Sequence, residues 1–265
     1  MKPNYFKRFF HDTKKYFKYT IESAKAELKA EVANSFLNWI WWILEPFCFM
    51  LIYSFVYGYV FKAKEDYFNI FIFIGISMWT FFQRMLKQSV TLVKVHKPII
   101  SKVYLPKYIF LYVKTGVNGF KMMMCFVIVV IMMIVYQVPV SWRLIFTIPI
   151  LVTLALLSFG LSCFLMHLGV YVSDMSNIID IFLRMMIYAT GIFYSVSKRI
   201  PAPYGNLLTK VNPLGFLLDA MRKVLIYNQT PSLKVFAFWF VVSVILCILG
   251  VYVVYRNENS YVKSI

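Results

Sequence analysis

Residues 144–171 read LIFTIPILVTLALLSFGLSCFLMHLGVY, with no Asp, Glu, Lys or Arg among them. A helix needs about 20 mainly apolar residues to cross the roughly 30 Å hydrocarbon layer of a bilayer, so this stretch crosses one with residues to spare. The same signature recurs on either side. Apolar runs at about Trp39–Phe61, Phe68–Val90, Ile109–Tyr136 and Val235–Tyr255 give four more spans. Ile178–Val196, although interrupted by Asp180 and Arg184, gives a sixth. Trp39, Trp41 and Trp42 open the first span as an interfacial aromatic belt. Composition agrees. Hydrophobic residues make up 61% of the 265 and charged residues 15%, against roughly 45–50% and about 25% in soluble domains. The fold class expected is therefore an all-α membrane protein of six transmembrane helices, one domain over 1–265. An interfacial helix lies within 1–35, the spans within 36–256 and a short polar tail at 257–265.

The net charge of +17 on a soluble chain would suggest nucleic acid. Here the basic residues crowd beside the first span, with Lys2, Lys7, Arg8, Lys14, Lys15, Lys18, Lys25 and Lys29 in the first 30 residues. That placement reads as cytoplasmic retention and attraction to anionic lipid, with no nucleic-acid partner. Phe6, Phe9, Phe10, Tyr16, Phe17 and Tyr19, interleaved with those bases, suit a helix in the headgroup layer; a cytosolic basic tail is the alternative. No secretory h-region is expected, since the first apolar run begins near Phe36. Six spans put both termini on one side, the cytoplasmic one, together with the Lys94–Lys107 loop. The link before the last span opposes the rule, carrying Lys198, Arg199, Lys210, Arg222, Lys223 and Lys234 on the outside.

The sequence offers little chemistry. It holds no GxxxxGK[ST] loop to cradle a nucleotide phosphate, no HExxH and no GxSxG. His11, His96 and His167 are far apart and match no metal spacing. Cys48, Cys125, Cys163 and Cys247 lie in apolar runs and read as small buried hydrophobes. Glu45 and Asp180 are the only plausible intramembrane carboxylates. No catalytic residue, metal site or bound cofactor is expected. A membrane glycosyl- or acyltransferase is the rival from another class, and it would need a catalytic cluster.

Five motifs in order carry a family resemblance. They are Leu37-Asn38-Trp39-Ile40-Trp41-Trp42-Ile43-Leu44-Glu45-Pro46, Gly75-Ile76-Ser77-Met78-Trp79-Thr80-Phe81-Phe82, the loop Pro98 to Lys107, Leu168-Gly169-Val170-Tyr171-Val172-Ser173-Asp174, and Asn212-Pro213-Leu214 followed by Arg222. Over nearly its whole length the chain resembles the transmembrane subunit of ABC-2 type polysaccharide exporters, the group that moves teichoic acid, O-antigen and capsule. It departs from the pattern at Asn38, at Ser173 and at Thr190-Gly191-Ile192. The resemblance implies a bacterial inner-membrane permease that pairs with a second copy and with two ABC ATPase subunits. ATP and Mg would sit on those subunits, and a lipid-linked glycopolymer would pass between the permeases. It also implies short re-entrant helices before the last span. An ABC-2 exporter of a small lipid or drug is the near alternative.

Candidate residues follow. Pro98 and Pro106 bracket a short helix in which Ile99, Ile100, Lys102, Val103 and Tyr104 would contact the ATPase; an ordinary solvated loop is the alternative. Lys107, Lys114 and Lys121 recur every seven residues on one helix face. At its depth, Lys121 faces either a substrate phosphate or a structural partner such as Glu45. Tyr53, Tyr57, Trp79 and Phe82 are candidates to line a sugar path. Lys198, Arg199, Lys210, Arg222 and Lys223 would meet an anionic polymer or a lipid pyrophosphate at the exit; the alternative is a helix at the outer headgroups, where Arg222 and Lys223 meet lipid phosphate and Asp219 pairs with one of them. Glu45, Pro46, Asn212 and Pro213 are structural candidates, and Asp180 with Arg184 forms an i,i+4 pair.

Overall fold

The computed structural model describes residues 5–33, 36–62, 65–201 and 204–264, and no strand occurs among them. The helices are α1 (Tyr5–Val32), α2 (Trp41–Tyr53), α3 (Phe68–Val95), α4 (Lys97–Ile100), α5 (Tyr108–Val135), α6 (Thr147–Tyr171), α7 (Met175–Ala189), α8 (Val196–Arg199), α9 (Tyr204–Val211), α10 (Pro213–Leu225) and α11 (Leu233–Ser264). Short 3-10 turns lead into α2 and α6, and a wider π turn, Ser54–Val60, carries α2 onward. Among the described residues, five helices are long and apolar enough to cross a membrane: 38–60, 68–95, 108–135, 142–171 and 233–261. The span expected at Ile178–Val196 is the exception. α7 stops after 15 residues, roughly 22 Å, because the chain breaks at Thr190-Gly191, where Gly191 takes φ +72°. The expected polar tail also differs, since α11 runs unbroken through it to Ser264.

α3 is the central post. Some 78% of its most apolar window is buried, against 11% for α2, which packs along its rim. Within α2, Pro46 removes the N–H that would bond the Trp42 carbonyl, and the Cys125 thiol of α5 donates to that carbonyl at 3.6 Å. On the other side, α6 and α11 cross closely where Gly160 and Gly250 meet. A Cβ on Gly160 would lie 2.9 Å from the Leu246–Cys247 backbone. Without a hydrophobic drive between helices in lipid, such small-residue contacts are what let two spans approach.

A belt of ion pairs crosses the bundle at one level. Arg84 pairs with Glu45 at 2.8 Å, Lys87 with Asp180 at 2.8 Å, and Lys121 with Glu31 at 2.5 Å. From Arg84 to Phe68 is roughly 24 Å of helix and from Lys121 to Val135 roughly 21 Å, so the belt stands toward one end of the long helices. The ends of α3, α6 and α11 and the start of α5 extend beyond it, together with α1. Gly160→Val should force α6 and α11 apart and destabilise the chain by about 1–3 kcal/mol. A lowered thermal midpoint in detergent is the expected reading.

Candidate functional site

Beyond the belt, α1 packs lengthwise on the start of α5. Lys114 bonds Glu27, Lys121 bonds Glu31, and Ala24 meets Gly116. The lysine stripe of α5 is thus answered by an acidic stripe on α1. Lys121 has the structural partner that its depth demanded, but that partner is Glu31, while Glu45 pairs with Arg84. Lys107 is buried against the Leu105 carbonyl at 3.2 Å, and burial pulls its pKa below the ordinary lysine value. The outward face of α1 keeps Phe10, Phe17 and Ile21 among Lys14, Lys18 and Lys25.

The two ends of the described chain and the 97–107 loop meet in one half-buried polar hub. Arg8 donates to Glu258 at 2.6 Å and to the Tyr104 hydroxyl, and its Nε stands 3.5 Å from Asp12. Tyr104 donates to Glu258 at 3.0 Å. The Tyr255 hydroxyl bonds Asp12 and Tyr108, each at 3.0 Å. Glu258 is only 6% exposed and Asp12 only 9%, so each charge depends on these partners. Burial and the Glu258 charge push the Tyr104 phenol up, which keeps it protonated as a donor. The loop forms the short helix α4 with Pro98 in its first turn. Ile100 turns inward to the core, while Ile99, Val103 and Tyr104 remain 44–61% exposed. The expected four-residue apolar face is thus divided, and Tyr104 serves the hub.

A groove of about 370 Å³ opens between α2, α3 and α7. Arg84, Lys87 and Glu45 stand at its charged end, and Phe49, Tyr53, Trp79 and Phe193 line it further in. Rings continue the wall: Phe193 packs on Tyr53 with centroids at 4.4 Å and stacks on Tyr57 at 4.8 Å, with Tyr188 at 6.3 Å. Three of the four expected path aromatics are therefore brought together, whereas Phe82 lies in the core behind Trp79. Arg84, Lys87, Phe49 and Phe193 were not foreseen. The signal was present in the i,i+3 spacing of Arg84 and Lys87, which can be read as snorkelling as easily as lining a groove. Asp180 bonds Lys87 across the helices and not Arg184 on its own helix.

The break after α7 explains the Asn212-Pro213 motif and Arg222. Asn212 caps α10, its side chain accepting from Gly215 N at 3.1 Å with Pro213 in the first turn, and its amide donates to Ala189 O at 3.4 Å. Arg222 donates to Gly191 O at 2.8 Å, Ile192 O at 2.7 Å and Phe71 O at 3.2 Å, with its guanidinium over the Phe71 ring. It is 4% exposed, which corrects its expected place among headgroups; Lys223 takes Asp219 at 2.7 Å. Gly75, in the second motif, leaves the room, since a Cβ there would stand 2.6 Å from the guanidinium. Arg199 and Lys210 are exposed on α8 and α9, and the Lys198 side chain lies outside the described residues.

The family model for the ABC-2 type transporter matches residues 21–226, from the second half of α1 through the Arg222 clasp. The chain belongs to the ABC-2 type transporter family. Curated relatives agree with that placement. O-antigen export system permease protein RfbA of Klebsiella pneumoniae is 23% identical over 225 residues, 84% of this chain and 86% of that protein. The Myxococcus xanthus protein of the same name is 21% identical over 246 residues, 92% of this chain and 94% of its own length. The hub, the groove and the clasp are thus features of an ABC-2 membrane subunit. Arg222→Met leaves three buried carbonyls short of donors and should cost about 3 kcal/mol or more. Arg222→Lys should recover only part of this loss, because an ammonium lacks the guanidinium fork. Thermal unfolding of both variants in detergent gives the comparison.

Proposed function

We propose that this chain is the permease of an ATP-driven transporter that exports a lipid-linked polysaccharide across the cytoplasmic membrane of a bacterium. The observation that carries the reading is the aromatic groove, seen in a chain that matches O-antigen export permeases over most of its length. Phe49 and Tyr53 of α2, and Tyr57 of the π turn that continues it, offer ring faces to sugar C–H groups without strong hydrogen bonds, with the buried Phe193 packed behind them, so a polymer can slide. α2 is the span with the least cover from its own chain, and a second copy placed against it would close the groove into a channel. In this reading the break after α7 is a re-entrant turn, with α8–α10 dipping from outside, and the chain crosses six times with both termini in the cytoplasm. The belt then lies at the cytoplasmic boundary, and the hub projects toward the ATPases.

Two partner ATPase subunits bind ATP and Mg and push on the 97–107 loop. Exposed Ile99 and Val103 meet a groove on the partner, and Tyr104 passes the displacement to Arg8 and Glu258. The chain itself contributes no hydrolysis. Purified alone it should release no phosphate from ATP, and persistent hydrolysis free of any other subunit would overturn the assignment. Ile99→Asp should leave the complex assembled, yet abolish surface polysaccharide in a complemented deletion strain, with polymer retained inside the cell. Glu258→Gln should lower ATP-driven export several-fold with the complex intact. Full surface polymer in both variants would remove the loop and hub from coupling.

A further inference from the structure

The cations at the mouth of the groove are only partly used. Arg84 carries five N–H donors, and among the described residues one contact to a carboxylate, Glu45, engages it. Lys87 likewise has one, to Asp180. The two lie three residues apart on α3 and both face the cavity. Their side chains remain 27% and 44% exposed, and those of Glu45 and Asp180 53% and 37%. Ion pairs this open to solvent hold weakly, whereas a phosphate offers several acceptor oxygens to an arginine fork and a lysine at once. Both carboxylates come from the loosely held elements around the groove, α2 at the rim and the short α7. Their position is the belt, and ring faces begin directly beyond it.

We propose that Arg84 and Lys87 form a binding site for a phosphoryl group carried on an amphiphile, with Glu45 and Asp180 as the counterions it displaces. The phosphate rests at the belt, and the portion attached to it lies along Phe49, Tyr53 and Trp79. Displacement has a structural effect. Glu45 ties α2 to α3, and Asp180 ties α7 to α3. Filling the site releases both ties, so occupancy and loosening of the groove's two walls are one event. The identity of the amphiphile as the transported, lipid-linked sugar rests on the function proposed above; the phosphate site itself does not.

The test uses the purified full chain in a neutral maltoside detergent, with monododecyl phosphate as the probe and calorimetric titration as the readout. Arg84→Gln/Lys87→Gln should weaken binding by about tenfold or more, one charged contact being worth about that factor. Glu45→Gln/Asp180→Asn keeps both cations and removes their competitors, so it should bind several-fold tighter. If the first double variant fails to elute as a folded species, the second decides. Unchanged binding in a folded Arg84→Gln/Lys87→Gln chain, or weaker binding in Glu45→Gln/Asp180→Asn, would overturn the site. Competition separates the sources. Phosphatidylglycerol displacing the probe assigns the phosphate to bulk phospholipid. Inorganic phosphate displacing it where phosphatidylglycerol does not assigns the site to a terminal phosphoryl end. Displacement by neither rejects phosphate recognition. Surface polymer unchanged in a deletion strain, with probe binding intact in the purified chain, would count against the export reading alone.

Discussion

The Arg222 clasp is the interaction on which the described architecture rests. A helix that ends inside an apolar layer leaves carbonyls that water cannot reach, and each carries a desolvation penalty until a donor arrives. The chain places its break at Thr190-Gly191 and then supplies the missing donors from thirty residues further on. Asn212 reaches Ala189, and Arg222 reaches Gly191, Ile192 and Phe71. One guanidinium therefore holds together the end of α7, the face of α3 and the body of α10. Phe193, which sits on Tyr53 and Tyr57, is positioned by the same turn, so the ring wall of the groove depends on a residue that never touches it.

The second constraint is the cost of charge within long apolar helices. Arg84, Lys87 and Lys121 all lie inside helices that read as spans, and each finds a carboxylate on a different element: α2, α7 and α1. The belt so formed divides the molecule in two. On one side, helix contacts are apolar and close, as at the α6–α11 crossing. On the other, tyrosines, carboxylates and Arg8 form the hub that joins the first and last helices to the 97–107 loop.

Much of this was legible in the sequence. Long apolar runs located the five long spans within a few residues, since apolar length is what a bilayer selects. The Asn212-Pro213 cap and the need for a partner at Lys121 were also readable, because each follows from a local rule. Partner identity was not. Glu45 was a reasonable match for Lys121 by depth, but α1 packs on α5 and brings Glu31 closer, which no periodicity within α5 could reveal. Arg222 looked like a headgroup residue because its own helix is amphipathic. Its role depends on carbonyls thirty residues away that become orphans only through the Gly191 turn. The continuation of α11 through Arg256, Asn257 and Glu258 was hidden for a similar reason: these residues are polar by composition, yet Glu258 is buried by contacts from the other end of the chain.

α11 also has a mechanical character. It is one unbroken helix of 32 residues, roughly 48 Å long, with a close contact at Gly250, where it crosses α6. That contact stands close to midway along the rod, with roughly 26 Å of helix toward Leu233 and roughly 21 Å toward Ser264. One arm is tied at Glu258 to the loop, and the other at Trp239 to the Lys210 carbonyl of α9. A rod held at a central fulcrum reverses the sense of any tilt and nearly conserves its size. A push on the terminal end therefore swings the Leu233 end, and α9 with it, the other way.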